Sequence, residues 1–228
     1  MEISTVVNGT SGKSIPSDIR TSTGTFLEKR QDHIVAGIER RVASISMIPE
    51  ENQESMQILH YQNGQQYRPH HDYFSDRFNK DPSKGGQRMA TVLMYLTTPE
   101  EGGETVFPNA ARKSTGEGWS DCARQGMAVK AVRGDAILFF GLKPDGTEDR
   151  TSLHGSCPTL KGDKWSATKW IHVGATPRYA LARYHHRFWT AIRCRSATVV
   201  TAPRYPSNTF PSADFGVEQM SLYFRFRV

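Results

Sequence analysis

No stretch of this 228-residue chain is apolar for long enough to cross a bilayer. One of the longest such runs covers only 136–140. The opening residues, Met-Glu-Ile-Ser-Thr-Val-Val, lack a basic segment followed by an apolar core, so no secretory leader or membrane anchor is read there. Cysteine is scarce, and the odd count of 3 leaves one unpaired in any scheme. A basic face is also missing from most of the chain: residues 1–175 carry 21 Lys+Arg against 21 Asp+Glu. The net charge of +6 therefore arises in 176–228, where 29 − 21 leaves 8 basic residues, all Arg, and 23 − 21 leaves 2 acidic ones. That distribution argues against nucleic acid as a partner of the first 175 residues.

What is present fits one globular domain with an appended tail. Hydrophobic residues make up 37% and charged residues 23%. Residues 8–18 and 75–86 are rich in Gly, Ser, Asp and Pro, which predicts surface loops able to close over a ligand. From Thr25 to about Met47 the apolar positions Phe26, Ile34, Ile38, Val42 and Ile45 recur at helical spacing, predicting an amphipathic helix that Pro49 ends. Short strand-like runs follow at Met56–Tyr61, 89–96, 127–132, 136–142 and 165–173, separated by turn residues. The stretch 109–125 reads as an insertion loop. One helix followed by many short strands predicts a mainly β jelly roll with a helical layer on one face. After residue 175 periodicity is lost, and 176–228 is expected to be an Arg-rich, disordered tail.

Among 8 histidines only His70 has an Asp two positions on. Alternate residues of a strand share a face, so His70 and Asp72 can present two ligands together, while His71 points away. A facial site for divalent iron needs a second imidazole from a distant strand. His154 is the best candidate, and 154 − 72 = 82 residues leaves room for intervening strands. His-x-Asp alone is common as a surface pair; Lys164, ten residues beyond His154, adds weight. A dicarboxylate that chelates iron at one end buries a second carboxylate at the other, and that charge needs a cation.

The runs Ile19-Arg20-Thr21-Ser22-Thr23-Gly24, Leu59-His60-Tyr61-Gln62-Asn63-Gly64-Gln65, Gly102-Gly103-Glu104-Thr105-Val106-Phe107-Pro108 and 152–172 resemble, in order, those of the prolyl 4-hydroxylases, the algal and plant enzymes above all. The resemblance runs from about Val6 to Ala175. It implies a double-stranded β-helix, Fe(II) held by His70, Asp72 and His154, 2-oxoglutarate as cosubstrate, and L-ascorbate as the reductant that restores the metal. It also implies that Lys164, Tyr61 and Thr105 bind the distal carboxylate of 2-oxoglutarate. Tyr67, Arg88, Trp170, His172 and Glu54 are implied around the target proline, in a groove for a peptide in the polyproline II form. A Cys122–Cys157 disulfide and residence in the endoplasmic reticulum or secretory pathway are implied too.

Two departures from the family pattern stand out. The pattern starts earlier than Met1 and stops soon after His172, so the chain is expected to be truncated at its N-terminus and to carry a foreign tail, as an incomplete gene model would. Three rival readings follow: an inactive binder of proline-rich peptides, a related dioxygenase with another substrate, and a zinc site, since three protein ligands plus water also suit zinc.

Overall fold

The computed structural model of the chain describes residues 1–177 and the backbone of 224–227. A seven-stranded sheet is ordered β1 (Glu2–Ile3), β4 (Thr23–Leu27), β5 (Met56–Tyr61), β14 (Lys164–His172), β7 (Arg88–Tyr95), β11 (Asp135–Phe140) and β15 (Phe224–Arg227). Facing it is a four-stranded sheet, β10 (Met127–Val129), β9 (Thr105–Phe107), β12 (His154–Ser156) and β6 (Tyr67–His70). Two ribbons complete the set: β2 (Thr5–Val7) with β3 (Ser14–Pro16), and β8 (Glu101–Gly102) with β13 (Thr159–Lys161). Every strand pairing is antiparallel, as expected for a jelly roll. Among the described residues no helix is long and apolar enough to cross a membrane.

The period-two alternation of the central strands creates two unlike faces. On β7, Ala90, Val92 and Met94 turn to one side, where they pack with Met56, Ala167 and Ile171 beneath the helix. Leu93 and Tyr95 turn to the other and pack with Phe107, Ile137 and Phe139 between the sheets. Burying one such apolar side chain stabilises by about 1.5–3 kcal/mol. The helical layer is α1 (His33–Ser46), which closes the first core with Val35 and Val42.

The expected helix is corrected at its start and in its buried face. Residues 23–27 form β4, pairing with β5, because Thr25 and Phe26 find ladder partners in Ile58 and Gln57. Asp32 then starts α1 by accepting from the Ile34 and Val35 N–H groups at 2.8 and 2.9 Å. The helix ends at Ser46, and Met47 takes the left-handed conformation at φ 57°. Its buried stripe is Val35, Glu39, Val42 and Ser46, whereas Ile34 and Phe26 are exposed. Likewise, much of the expected loop 8–18 is a hairpin turn between β2 and β3. From the expected tail, residues 224–227 add an edge strand beside β11. The rest of that expectation, with Cys194, His185 and His186, lies outside the described residues.

Glu39 is buried because it has a partner. Lys169, on the helix-facing side of β14, places Nζ 2.8 Å from Glu39 Oε1, the two side chains being 0% and 1% exposed. Its ammonium also donates to the Glu54 carbonyl. Removing one member of a buried pair strands a charge, whereas replacing both with apolar residues does not. Lys169→Ala is therefore expected to cost about 3–5 kcal/mol in urea unfolding, and Glu39→Leu with Lys169→Met to recover most of it.

Candidate metal centre

The ligand candidates meet through a single strand pairing. In the β6–β12 ladder His70 lies directly opposite His154, and Asp72 follows just past the end of β6. Gly155 permits this approach: a Cβ there would sit 2.9 Å from the Tyr67 carbonyl oxygen and 3.1 Å from Pro69 N. The donor atoms of His70, Asp72 and His154 all lie within 4.8 Å of one another. Asp72 Oδ1 is 3.5 Å from His70 Nε2, and Asp72 Oδ2 is 3.5 Å from His154 Nε2.

Each imidazole is oriented by its other nitrogen. His70 Nδ1 donates to the Arg68 carbonyl at 2.9 Å, and His154 Nδ1 donates to the Ser152 carbonyl at 3.0 Å. These bonds fix the tautomer that leaves both Nε2 lone pairs facing Asp72. Burial lowers His154 to about 4, keeping it in the neutral form that ligates metal. Burial alone would raise the Asp72 carboxyl, but in the acid range where a carboxyl titrates a protonated His154, with His70, outweighs it and holds the group well below the usual carboxylate range. Two neutral imidazoles and one ionised carboxylate are the donor set of a divalent-iron site with open positions, and the residues fit that ion. His71 stands apart, with Nε2 3.4 Å from the Arg150 carbonyl, and His60 pairs with Asp163.

The cavity beside the triad is lined from both sheets. Lys164 and Tyr61 are cross-strand partners on β14 and β5, and Thr105 and Ser156 are partners on β9 and β12. All but Ser156 are 1–3% exposed. Lys164 Nζ is 2.8 Å from Ser156 Oγ, and burial lowers it from its ordinary value to about 7. The three expected cosubstrate contacts thus line one cavity with the triad.

A wider groove reaches His70 and Asp72 and holds the expected substrate residues Tyr67, Arg88, Trp170, His172 and Glu54. Strand alternation puts Lys164, Ser166, Thr168 and Trp170 along the cavity. A register shift where His172 meets Arg88 brings Arg88 into the groove, although Ala90 and Val92 below it face the helix. Glu54 accepts from Arg88 Nε at 2.5 Å and Nη2 at 3.0 Å, and lies 2.7 Å from His172 Nε2. Burial works to raise Glu54, yet Arg88 and His172 dominate and hold it at about 2. The guanidinium so fixed lies 4.1 Å from the Trp170 ring centre and 4.6 Å from that of Phe74. Tyr67 stacks on His70 with ring centres 3.6 Å apart, so it supports a ligand as well as lining the groove.

Three contributing residues escaped the sequence reading. Thr91 donates to Asp72 Oδ2 at 2.7 Å, Tyr95 donates to Thr105 Oγ1 at 2.9 Å, and Ser156 holds Lys164. Ser156 was open to discovery, since it lies two residues beyond His154 on a strand; Thr91 and Tyr95 become visible only with the sheet register.

Two outcomes follow for this site. Thr91→Val is expected to weaken binding of a divalent metal roughly 10–100-fold, read by calorimetric titration, because an outer partner of a ligand is lost. If Lys164 pairs with a dicarboxylate it must do so as ammonium, the form that predominates in the free site below pH about 7. Affinity for 2-oxoglutarate is therefore expected to be flat below that pH and to fall about tenfold per unit above it, with one proton taken up on binding at pH 8. Titration in buffers of different ionisation enthalpy measures that uptake.

Comparison with known proteins agrees with this geometry. The family model described as the 2OG-Fe(II) oxygenase superfamily matches residues 56–172, just over half of the chain. The chain is 55% identical over 181 residues to a probable prolyl 4-hydroxylase 7 of Arabidopsis thaliana, covering 78% of this chain and 57% of that relative. It is 57% identical over 166 residues to a probable prolyl 4-hydroxylase 6 of the same plant, covering 72% and 57%. The chain thus spans less than two thirds of the length of these curated relatives. Among solved structures it resembles a viral collagen prolyl hydroxylase from Paramecium Bursaria Chlorella virus-1 in a 2OG complex, at TM-score 0.53 and 27% identity over 67% of this chain and 78% of that one. Sequence match, sheet arrangement and donor set agree, and the chain belongs to the 2OG-Fe(II) oxygenase superfamily.

Proposed function

We propose that this chain hydroxylates peptidyl proline at C4, consuming O2 and 2-oxoglutarate and releasing succinate and CO2. The observation that carries the reading is the union of three parts in one place: the His70, Asp72 and His154 donor set, a buried lysine lining the same cavity, and an aromatic groove that reaches His70 and Asp72. Relatives above 50% identity named as prolyl 4-hydroxylases support it.

His70, Asp72 and His154 would hold Fe(II), which when bound supplies coordination sites for 2-oxoglutarate and dioxygen and the oxidising power of the reaction. Lys164 pairs with the distal carboxylate of 2-oxoglutarate, and Tyr61 and Thr105 donate hydrogen bonds to it. Tyr95 turns the Thr105 proton toward that carboxylate, since a phenol is the better donor of the two hydroxyls. The sheets exclude water from this end, which strengthens each of these contacts.

Arg88 and Trp170 form one wall for a proline-rich chain, with Tyr67 near the ligands. Glu54 and His172 hold Arg88 in place. The Trp170 indole N–H is buried without an acceptor among the described residues, so the ring offers the peptide its face and not its N–H. A proline-rich peptide is already a polyproline II helix with solvated carbonyls and loses little entropy on docking. The β2–β3 hairpin and the 75–86 loop roof the groove, where Asn79 Nδ2 donates to the Gly12 carbonyl at 3.1 Å. L-Ascorbate serves as the restoring reductant.

The proposed compartment is the endoplasmic reticulum or secretory pathway, supported by Cys122 and Cys157. Their Cα atoms are 5.7 Å apart with the sulfurs at bonding distance, the arrangement of a disulfide, and such bonds persist in oxidising compartments. The pair ties the 109–125 segment to Cys157, the residue just beyond the end of β12.

The test is succinate release coupled to mass-spectrometric detection of hydroxyproline on a poly-proline peptide. Activity is expected for the wild type with Fe(II) and 2-oxoglutarate and none for Asp72→Ala. Trp170→Ala, at a residue that lines both the cavity and the groove, is expected to raise the peptide KM roughly 3–10-fold and the 2-oxoglutarate KM by less. Peptide hydroxylation that survives Asp72→Ala refutes the site; 2-oxoglutarate turnover without hydroxyproline refutes the substrate.

A further inference from the structure

Asn8-Gly9-Thr10 is the only place in the sequence where an Asn has Ser or Thr two positions on. It occupies the turn between β2 and β3, with Gly9 and Thr10 exposed. Asn8 Oδ1 accepts from Thr10 N at 3.0 Å and from Ser11 N at 2.9 Å, an Asx turn that fixes the carboxamide by its oxygen. The Asn8 backbone closes the hairpin as well, donating to the Lys13 carbonyl and accepting from Gly12 N, each at 2.8 Å. Among the described residues Nδ2 donates no hydrogen bond, and it is not buried. Sequence motif, exposed turn and free amide nitrogen coincide at one side chain.

We propose that Asn8 is an N-glycosylation site. An Asn-x-Ser/Thr acceptor is used on a surface loop of a chain that enters the secretory lumen. The co-reactant is a lipid-diphosphate-linked oligosaccharide. Asn8 Nδ2 forms a bond to the anomeric carbon of its first sugar, the bond from that carbon to the diphosphate oxygen breaks, and the lipid diphosphate leaves with the electron pair. Nδ2 gives up one proton, so nothing is oxidised or reduced. Hydrogen bonding through Oδ1 alone keeps the turn intact after the transfer, because the new bond is on the other atom of the carboxamide. The inference rests on the secretory compartment proposed above, for which the Cys122–Cys157 pair is separate support.

Two experiments decide it. The full chain behind a cleavable leader is translated with microsomal membranes. A single mobility shift is expected, reversed by peptide-N-glycosidase, absent in Asn8→Gln and Thr10→Ala, and retained in Thr10→Ser. No shift, or a shift that persists in Asn8→Gln, overturns the site. In the second, microsomes holding the native protein are treated with protease, and the peptide containing Asn8 is then analysed by mass. Protection together with a glycan on Asn8 supports the proposal. Protection with a bare Asn8 overturns the glycosylation alone, whereas digestion overturns it together with the compartment reading and leaves the hydroxylation assay to judge the chemistry.

Discussion

The antiparallel contact of β6 with β12 is the constraint on which the centre depends. It sets two imidazoles opposite each other and leaves Asp72, just beyond the strand end, free to face both. Neither strand could do this alone, because a short strand presents alternate residues on one face and a second histidine must come from elsewhere. Close approach of the two backbones is what Gly155 contributes. The flanking rings of Tyr67 and Phe139 then confine the imidazoles, at centroid distances of 3.6 and 4.5 Å.

A second level of organisation comes from the large sheet. Its central strand β14 separates two kinds of chemistry by parity. One face carries the side chains that line the cavity beside the triad, and the other carries Ala167, Lys169 and Ile171 toward the helix. Cations on both faces are buried, but for different ends. Lys169 has Glu39 as a standing partner, while among the described residues Lys164 has only a neutral hydroxyl at hydrogen-bond distance and is depressed by burial. A buried amine so depressed is a candidate functional group, and the proposed role of Lys164 is to pair with an anion.

Much of this was legible in the primary structure, for physical reasons that differ by element. Strands such as β5 and β14 declared themselves because their faces are both buried or alternate regularly, and His-x-Asp declared itself because strand geometry makes its spacing meaningful. Helix α1 was misjudged at its start because Phe26 and Ile34 are apolar yet exposed, so they mimicked a helical stripe. Its true inner face contains a glutamate, which no apolar count selects. Arg88 was reached through family resemblance; strand parity would have sent it to the wrong side, since a register shift turns it. Thr91 and Tyr95 act across sheets, and their partners are set by register and not by spacing.

Glu54 has one foot on each side of the large sheet. Its carbonyl receives the ammonium of Lys169, and its carboxylate clasps the guanidinium that lies over Trp170. The helical layer is consequently no inert cover. Drift of α1 relative to the sheet would pass through two polar links into the aromatic wall, so sequence change on the outside of the fold can retune grip on a ligand it never touches.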